Sequence, residues 1–122
     1  MRLEEISSSK EMKEILNEFA DSFIPPLYET VENISLYAEK LAENSRNLVI
    51  CHNDEKIGFI CFYANDLKSR IAFISLICVK EKYQKNGYAT VLLKRMFEFC
   101  KDSMSSVELE VYADNAKAIE FY

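Results

Sequence analysis

From Ile71 to Lys101 the chain reads as a strand, a turn and a helix in succession, and this unit limits the folds open to everything around it. The strand, Ile71-Ala-Phe-Ile-Ser-Leu-Ile-Cys-Val79, is apolar almost throughout. It lacks the polar alternation of a half-solvated strand, so it is expected near the centre of a sheet, covered on both faces. A polar segment, Lys80 to Thr90, follows it. Ala89, Leu92, Leu93, Met96 and Cys100 then recur at spacings of three and four, which predicts one buried helical face. A strand feeding a helix through a glycine turn makes an anion site, because unpaired N–H groups and the helix dipole both favour negative charge there.

Gly87 in that turn is one of only 2 glycines in the chain, where ordinary usage would give about eight or nine. Retaining it predicts a backbone that turns tightly or lies close to a ligand. Taken alone, the glycine is better explained by a plain strand-to-helix turn, where glycine is common.

The other elements follow from periodicity. Leu3 to Ile6 reads as a short strand. Met12, Ile15, Leu16, Phe19 and Phe23 give a helix over Lys10 to Ser22, capped by Ser8 or Ser9 and ended by Pro25-Pro26. A second helix is expected from Leu27 to Ala42. Leu48 to His52 and Ile57 to Ala64 form a hairpin across the polar turn Asn53 to Lys56. Val107 to Tyr112 must then run parallel to Ile71–Val79 for a right-handed crossover, and a last helix starts near Asp114.

At 122 residues, 49% of them apolar, the chain is long enough for one domain with a real core, spanning 1–122. No apolar run approaches the ~20 residues that cross a bilayer, and Met1-Arg-Leu-Glu-Glu lacks a signal-peptide core, so a cytoplasmic protein without a membrane partner is expected. A net charge of −5 argues against nucleic acid and suits a cationic partner. Cys51, Cys61, Cys78 and Cys100 lie far apart with no Cys-x-x-Cys pair, which predicts buried thiols and neither a zinc nor a redox motif. The single histidine, His52, reads as a surface residue beside a turn.

Gln84-x-x-Gly87-x-Ala89, taken together with Asn115-Ala-Lys-Ala-Ile-Glu-Phe-Tyr122, resembles the paired motifs of the GNAT superfamily of acetyl-CoA-dependent N-acetyltransferases. The resemblance covers Asn47 to Tyr122 well and the N-terminal third in outline. It implies a GNAT-type mixed sheet of the α/β (α+β) class: antiparallel strands lead into a parallel strand–helix–strand unit, with helices on both faces. It also implies transfer of an acetyl group from acetyl-CoA to a primary amine of a small molecule or protein N-terminus, with no metal.

By that resemblance the amides of Lys85, Asn86, Gly87, Tyr88, Ala89 and Thr90 wrap the diphosphate of CoA, and Gln84 opens the loop. The main chain of Ile77, Cys78 and Val79 pairs with the pantetheine arm and polarises the thioester. Asn115 caps the last helix, contacts the arm, or does both. Glu110 matches the family's general base, five residues before Asn115, though strand alternation alone also fits a solvent-facing glutamate. Tyr122 matches the general acid that protonates the departing thiolate.

The family fold ordinarily continues with two more strands after this motif. Their absence here predicts a shortened chain or an edge covered by another subunit, with a homodimer as the simplest form. The alternative function is a non-catalytic CoA-binding or interaction module derived from the same fold; a site for another phosphorylated ligand is a third.

Overall fold

The computed structural model describes residues 1–23 and 26–109. Strand β1 (Arg2–Glu5) leads into helix α1 (Ser9–Phe19) and a short 3₁₀ turn (Ala20–Ser22). Helices α2 (Leu27–Thr30) and α3 (Ile34–Asn44) follow. Strands β2 (Arg46–His52), β3 (Glu55–Tyr63) and β4 (Ile71–Val79) come next, then a 3₁₀ turn (Glu81–Tyr83), helix α4 (Tyr88–Cys100) and β5 (Ser106–Leu109). The strands stand in chain order across one sheet. β1 to β4 are antiparallel neighbours, while β5 pairs parallel to β4 over Ile71–Ile74 after the α4 crossover. This is the mixed sheet expected from the sequence.

Two apolar clusters sandwich the sheet. On one face Met12, Ile15, Leu16 and Phe19 of α1 and Ala38 and Leu41 of α3 pack on Val49, Cys51, Phe59, Cys61 and Cys78. The rings of Phe19 and Phe59 meet edge-on, their centroids 5.1 Å apart. On the other face Leu92, Leu93, Met96 and Cys100 of α4 cover Ile50, Ile57, Ile60, Phe62, Ala72 and Ile74. Burying a face on each side of a sheet is what makes this layered arrangement stable.

Local chemistry explains the boundaries. Ser8 caps α1, its hydroxyl accepting from the Glu11 N–H. The single helix expected over Leu27 to Ala42 is interrupted: Val31 is extended, and the Asn33 side chain accepts from the Leu36 N–H at 3.0 Å, starting α3 afresh. The apolar spacing continued across that break and concealed the cap. Asn53 and Asp54 both have positive φ, so the β2–β3 connection is a tight two-residue turn. Of the Pro25-Pro26 stop, only Pro26, at the start of α2, falls among the described residues.

β4 departs from uniform burial. Cys61 faces Leu76 while Phe62 faces Ile74, so Ser75 is an extra residue, and its hydroxyl donates to the Cys61 carbonyl at 3.2 Å. This bulge resets the alternation: Ala72 and Ile74 point towards α4, whereas Leu76 and Cys78 belong to the α1–α3 side. Ile71 and Phe73 are left half-buried.

Candidate active site

β4 ends at Val79, and the chain reverses through a turn fixed from several sides. The Gln84 side-chain N–H donates to the Val79 carbonyl at 3.0 Å, folding the turn back on the strand that precedes it. The Asn86 side chain donates to the Tyr83 and Gln84 carbonyls at 3.1 and 3.3 Å. Lys85 (φ +67°) and Gly87 (φ +84°) both take the left-handed conformation. Gly87 does so at no steric cost; Lys85 is a non-glycine residue in a sparsely populated region, the kind of strain that collects at functional sites.

The outcome is a row of unpaired donors. Gly87 is the N-cap of α4, and its carbonyl accepts from Val91 at 3.1 Å. The N–H groups of Lys85, Asn86, Gly87, Tyr88, Ala89 and Thr90 have no hydrogen-bond partner among the described residues. Lys85, Asn86, Gly87 and Thr90 are exposed, and Tyr88 and Ala89 half-buried. A Cβ placed on Gly87 would meet nothing within 4 Å. Among the described residues, no side chain comes within 4 Å of that position. Successive N–H groups in such a turn, at the positive end of a helix, form a concavity suited to an anion.

The end of β4 offers further main-chain groups. The Lys80 N–H donates to the Ile57 carbonyl at 2.9 Å, which makes that pair a hydrogen-bonded one. Antiparallel pairs alternate, so Cys78 is hydrogen-bonded to Phe59, whereas Ile77 and Val79 turn their N–H and C=O away from β3. The two strands lie so close here that a Cβ on Gly58 would stand 2.7 Å from the Cys78 carbonyl oxygen. The Cys78 thiol is buried, and burial pushes it up to about 12, so it is packing rather than a nucleophile. Cys51, Cys61 and Cys100 are likewise buried free thiols, raised by burial.

Charge around the turn is largely neutralised. The Lys80 ammonium lies 2.6 Å from Glu18 and 3.5 Å from Glu55, and Lys82 lies 3.0 Å from Glu55. Lys85, by contrast, has no ion-pair partner among the described residues. The Tyr83 hydroxyl donates to Glu55 at 2.6 Å. That bond and Lys82 hold the Glu55 carboxyl down to about 2. Glu55 and Tyr83 escaped the sequence reading because they lie 28 residues apart with no shared motif.

At the other end of β4, a cleft of about 410 Å³ is lined by Tyr63, Asn65, Asp66, Ser69, Ile71, Phe73 and Glu108. Asp66 accepts from the Lys68 and Ser69 N–H groups, and these bonds hold its carboxyl below the usual range. Among the described residues, two carboxylates and no cation thus line the cleft. Glu110, Asn115 and Tyr122 lie outside the described residues. Among the described residues, His52 is exposed at the end of β2, and no helix is long and apolar enough to cross a membrane.

The sequence profile of the acetyltransferase (GNAT) family matches residues 10–122, nearly the whole chain. The chain belongs to this family. An L-amino acid N-acetyltransferase of Escherichia coli, AaaT, is 29% identical to it in an alignment of 93 residues that covers 71% of this chain and 57% of that relative. The chain thus matches little more than half the length of that relative.

Among solved structures, an aminoglycoside acetyltransferase from a soil metagenome aligns with 99% of this GNAT chain and 87% of its own, with a TM-score of 0.76 at 17% identity. The ribosomal-protein-S18-alanine N-acetyltransferase of Escherichia coli aligns with 99% of this chain and 74% of its own, TM-score 0.74 at 22% identity. At these identities the likeness is one of fold. A Bacillus anthracis protein described as a streptothricin acetyltransferase, solved in complex with acetyl coenzyme A, is 28% identical over 65% of this chain and 44% of its own, TM-score 0.58.

Proposed function

We propose that this GNAT domain binds acetyl-CoA at the Gly87 turn and transfers its acetyl group to a primary amine. The observation that carries the reading is the run of amides from Lys85 to Thr90 at the start of α4, none with a partner among the described residues, beside open space at Gly87. A diphosphate is the CoA group that such donors fit, and the Lys85 ammonium, which has no ion-pair partner among the described residues, adds charge to them. Ile77 and Val79, rather than Cys78, supply the main-chain N–H and C=O groups that face away from β3 towards a pantetheine arm. Cys78 instead holds β4 to β3. Gln84 keeps the turn against the end of the strand.

Bound acetyl-CoA supplies the activated acyl group. The reaction joins the amine nitrogen to the acyl carbon and releases the CoA thiolate, so one proton must leave the amine and one must reach sulfur. Glu110 is proposed to take the first and Tyr122 to deliver the second, with Asn115 beside the arm; these roles rest on the motif spacing. The acceptor is proposed to carry a cationic group, for which the cleft lined by Asp66, Glu108, Tyr63 and Phe73 is suited in charge and in its aromatic walls. A cytoplasmic location belongs to the same proposal and agrees with four free buried thiols.

Calorimetry with acetyl-CoA, followed by a thiol-release assay across amino acids, polyamines, aminoglycosides and N-terminal peptides, tests the reading. Saturable binding with amine-dependent thiol release is expected, and Glu110→Gln and Tyr122→Phe should each lower the rate. Binding without release under any amine points to a non-catalytic CoA module. Absence of CoA binding refutes the proposal.

A further inference from the structure

We infer that Glu55 and Tyr83 form a latch that positions the Gly87 turn for its diphosphate ligand. The inference rests on the CoA reading above and adds to it a positioning pair that the family motif does not contain.

The geometry runs from one end of the sheet to the other side of the turn. The two-residue turn at Asn53 and Asp54 fixes where β3 begins, and Glu55 is its first residue. From there the carboxylate accepts from the Tyr83 hydroxyl at 2.6 Å and meets Lys82 at 3.0 Å and Lys80 at 3.5 Å. Lys80 is held in turn by Glu18 of α1 at 2.6 Å, its ammonium 5.3 Å from the centre of the Phe19 ring. Tyr83 packs its ring edge-on against Tyr88, the first residue of α4, with centroids 6.1 Å apart. Hence one carboxylate on the β2–β3 hairpin grips both the 3₁₀ turn before Gly87 and, through Tyr83, the first turn of α4 after it. A loop whose amides must converge on a ligand gains from this, because misplacement of a binding group by about 1 Å is costly.

Charge alone predicts the opposite consequence for Glu55. A carboxylate near an anion site repels the anion, so removing it should tighten binding. A latch predicts that removing it weakens binding. The sign of the change therefore separates the two.

Glu55→Ala, Tyr83→Phe and the double variant are made in the full chain, and CoA affinity is measured by calorimetry. Each single variant is expected to weaken CoA about tenfold, and the double variant no more than about twofold beyond the weaker single, since both break the same latch. In turnover, KM for acetyl-CoA rises while kcat at saturation stays within about twofold. Unchanged or tighter binding in Glu55→Ala overturns the inference, as do fully additive losses in the double variant.

A second measurement needs no ligand. Backbone ¹⁵N relaxation of the free protein should show Lys85 to Gly87 falling from order parameters of about 0.85 to below about 0.6 in both single variants. Order parameters that stay at the wild-type value overturn the latch. A wild-type protein that fails to bind CoA while its variants loosen the turn removes the CoA reading and leaves the latch standing.

Discussion

Gly87→Ala separates the cost of a fold from the cost of a site. At φ +84° an alanine incurs the left-handed penalty, about 1–2 kcal/mol. Among the described residues, and its own chain neighbours aside, the new methyl meets no atom within 4 Å. The whole folding penalty is therefore backbone strain, and for a domain of this size it should lower Tm by about 4–8 °C. On the proposed reading the open space that the methyl enters is the space a bound diphosphate takes. Displacing a diphosphate from two charge-assisted bonds there should cost at least about 2 kcal/mol, roughly thirtyfold in Kd. Gly58→Ala supplies the contrast. Its Cβ would lie 2.7 Å from the Cys78 carbonyl and 3.2 Å from the Val79 Cα, backbone atoms with little freedom to give. Overpacking of that kind costs about 1–3 kcal/mol, and it falls on stability first. Thermal melts and calorimetric CoA titrations of both variants give the two ratios. If Gly87→Ala were destabilised as calculated yet bound CoA within about threefold of wild type, the Gly87 turn would not be the diphosphate site.

Other expectations follow from the same structure. Asn47 is the buried polar residue whose side-chain N–H groups donate to the Ile6, Leu41 and Ser45 carbonyls at 3.2, 3.1 and 3.2 Å. Asn47→Ala should cost about 3 kcal/mol, a fall of roughly 10 °C in Tm by calorimetry. Glu55 has its carboxyl lowered from 4.5 to about 2 in the folded protein. Its contribution is thus complete above pH 4.5 and lost as pH falls towards 2, so wild-type Tm should drop more steeply than that of Glu55→Gln across this window. All four thiols are buried and raised by burial. A thiol reagent at pH 8 should therefore modify them only as fast as the chain unfolds; rapid labelling of the native protein would contradict their packing role.

The parts of this structure legible in the sequence are those whose information is local. The period of three and four in Ala89 to Cys100, the apolar run of β4 and the turn residues between β2 and β3 each dictate an element through its own side chains. Gly87 could be singled out because glycine is scarce elsewhere in the chain. What could not be read depends on partners distant in sequence, or on backbone geometry that side chains do not advertise. The left-handed conformation of Lys85 has no sequence signal, since lysine has no preference for it. The bulge at Ser75 follows from register against β3 and reverses which face Leu76 and Cys78 occupy. The same register assigns Cys78 to Phe59 and leaves the main chains of Ile77 and Val79 turned outward. Asn33 as a cap was hidden by an apolar spacing that ran through it.

The central claim is that the amides from Lys85 to Thr90 are the donors that hold CoA. Amide ¹H–¹⁵N spectra recorded during an acetyl-CoA titration test it directly. The account predicts that these six resonances shift together and saturate with a single Kd, shared with the calorimetric value, with Ile77 and Val79 moving alongside them. Saturable binding that leaves Lys85 to Thr90 unmoved while resonances elsewhere shift would contradict it.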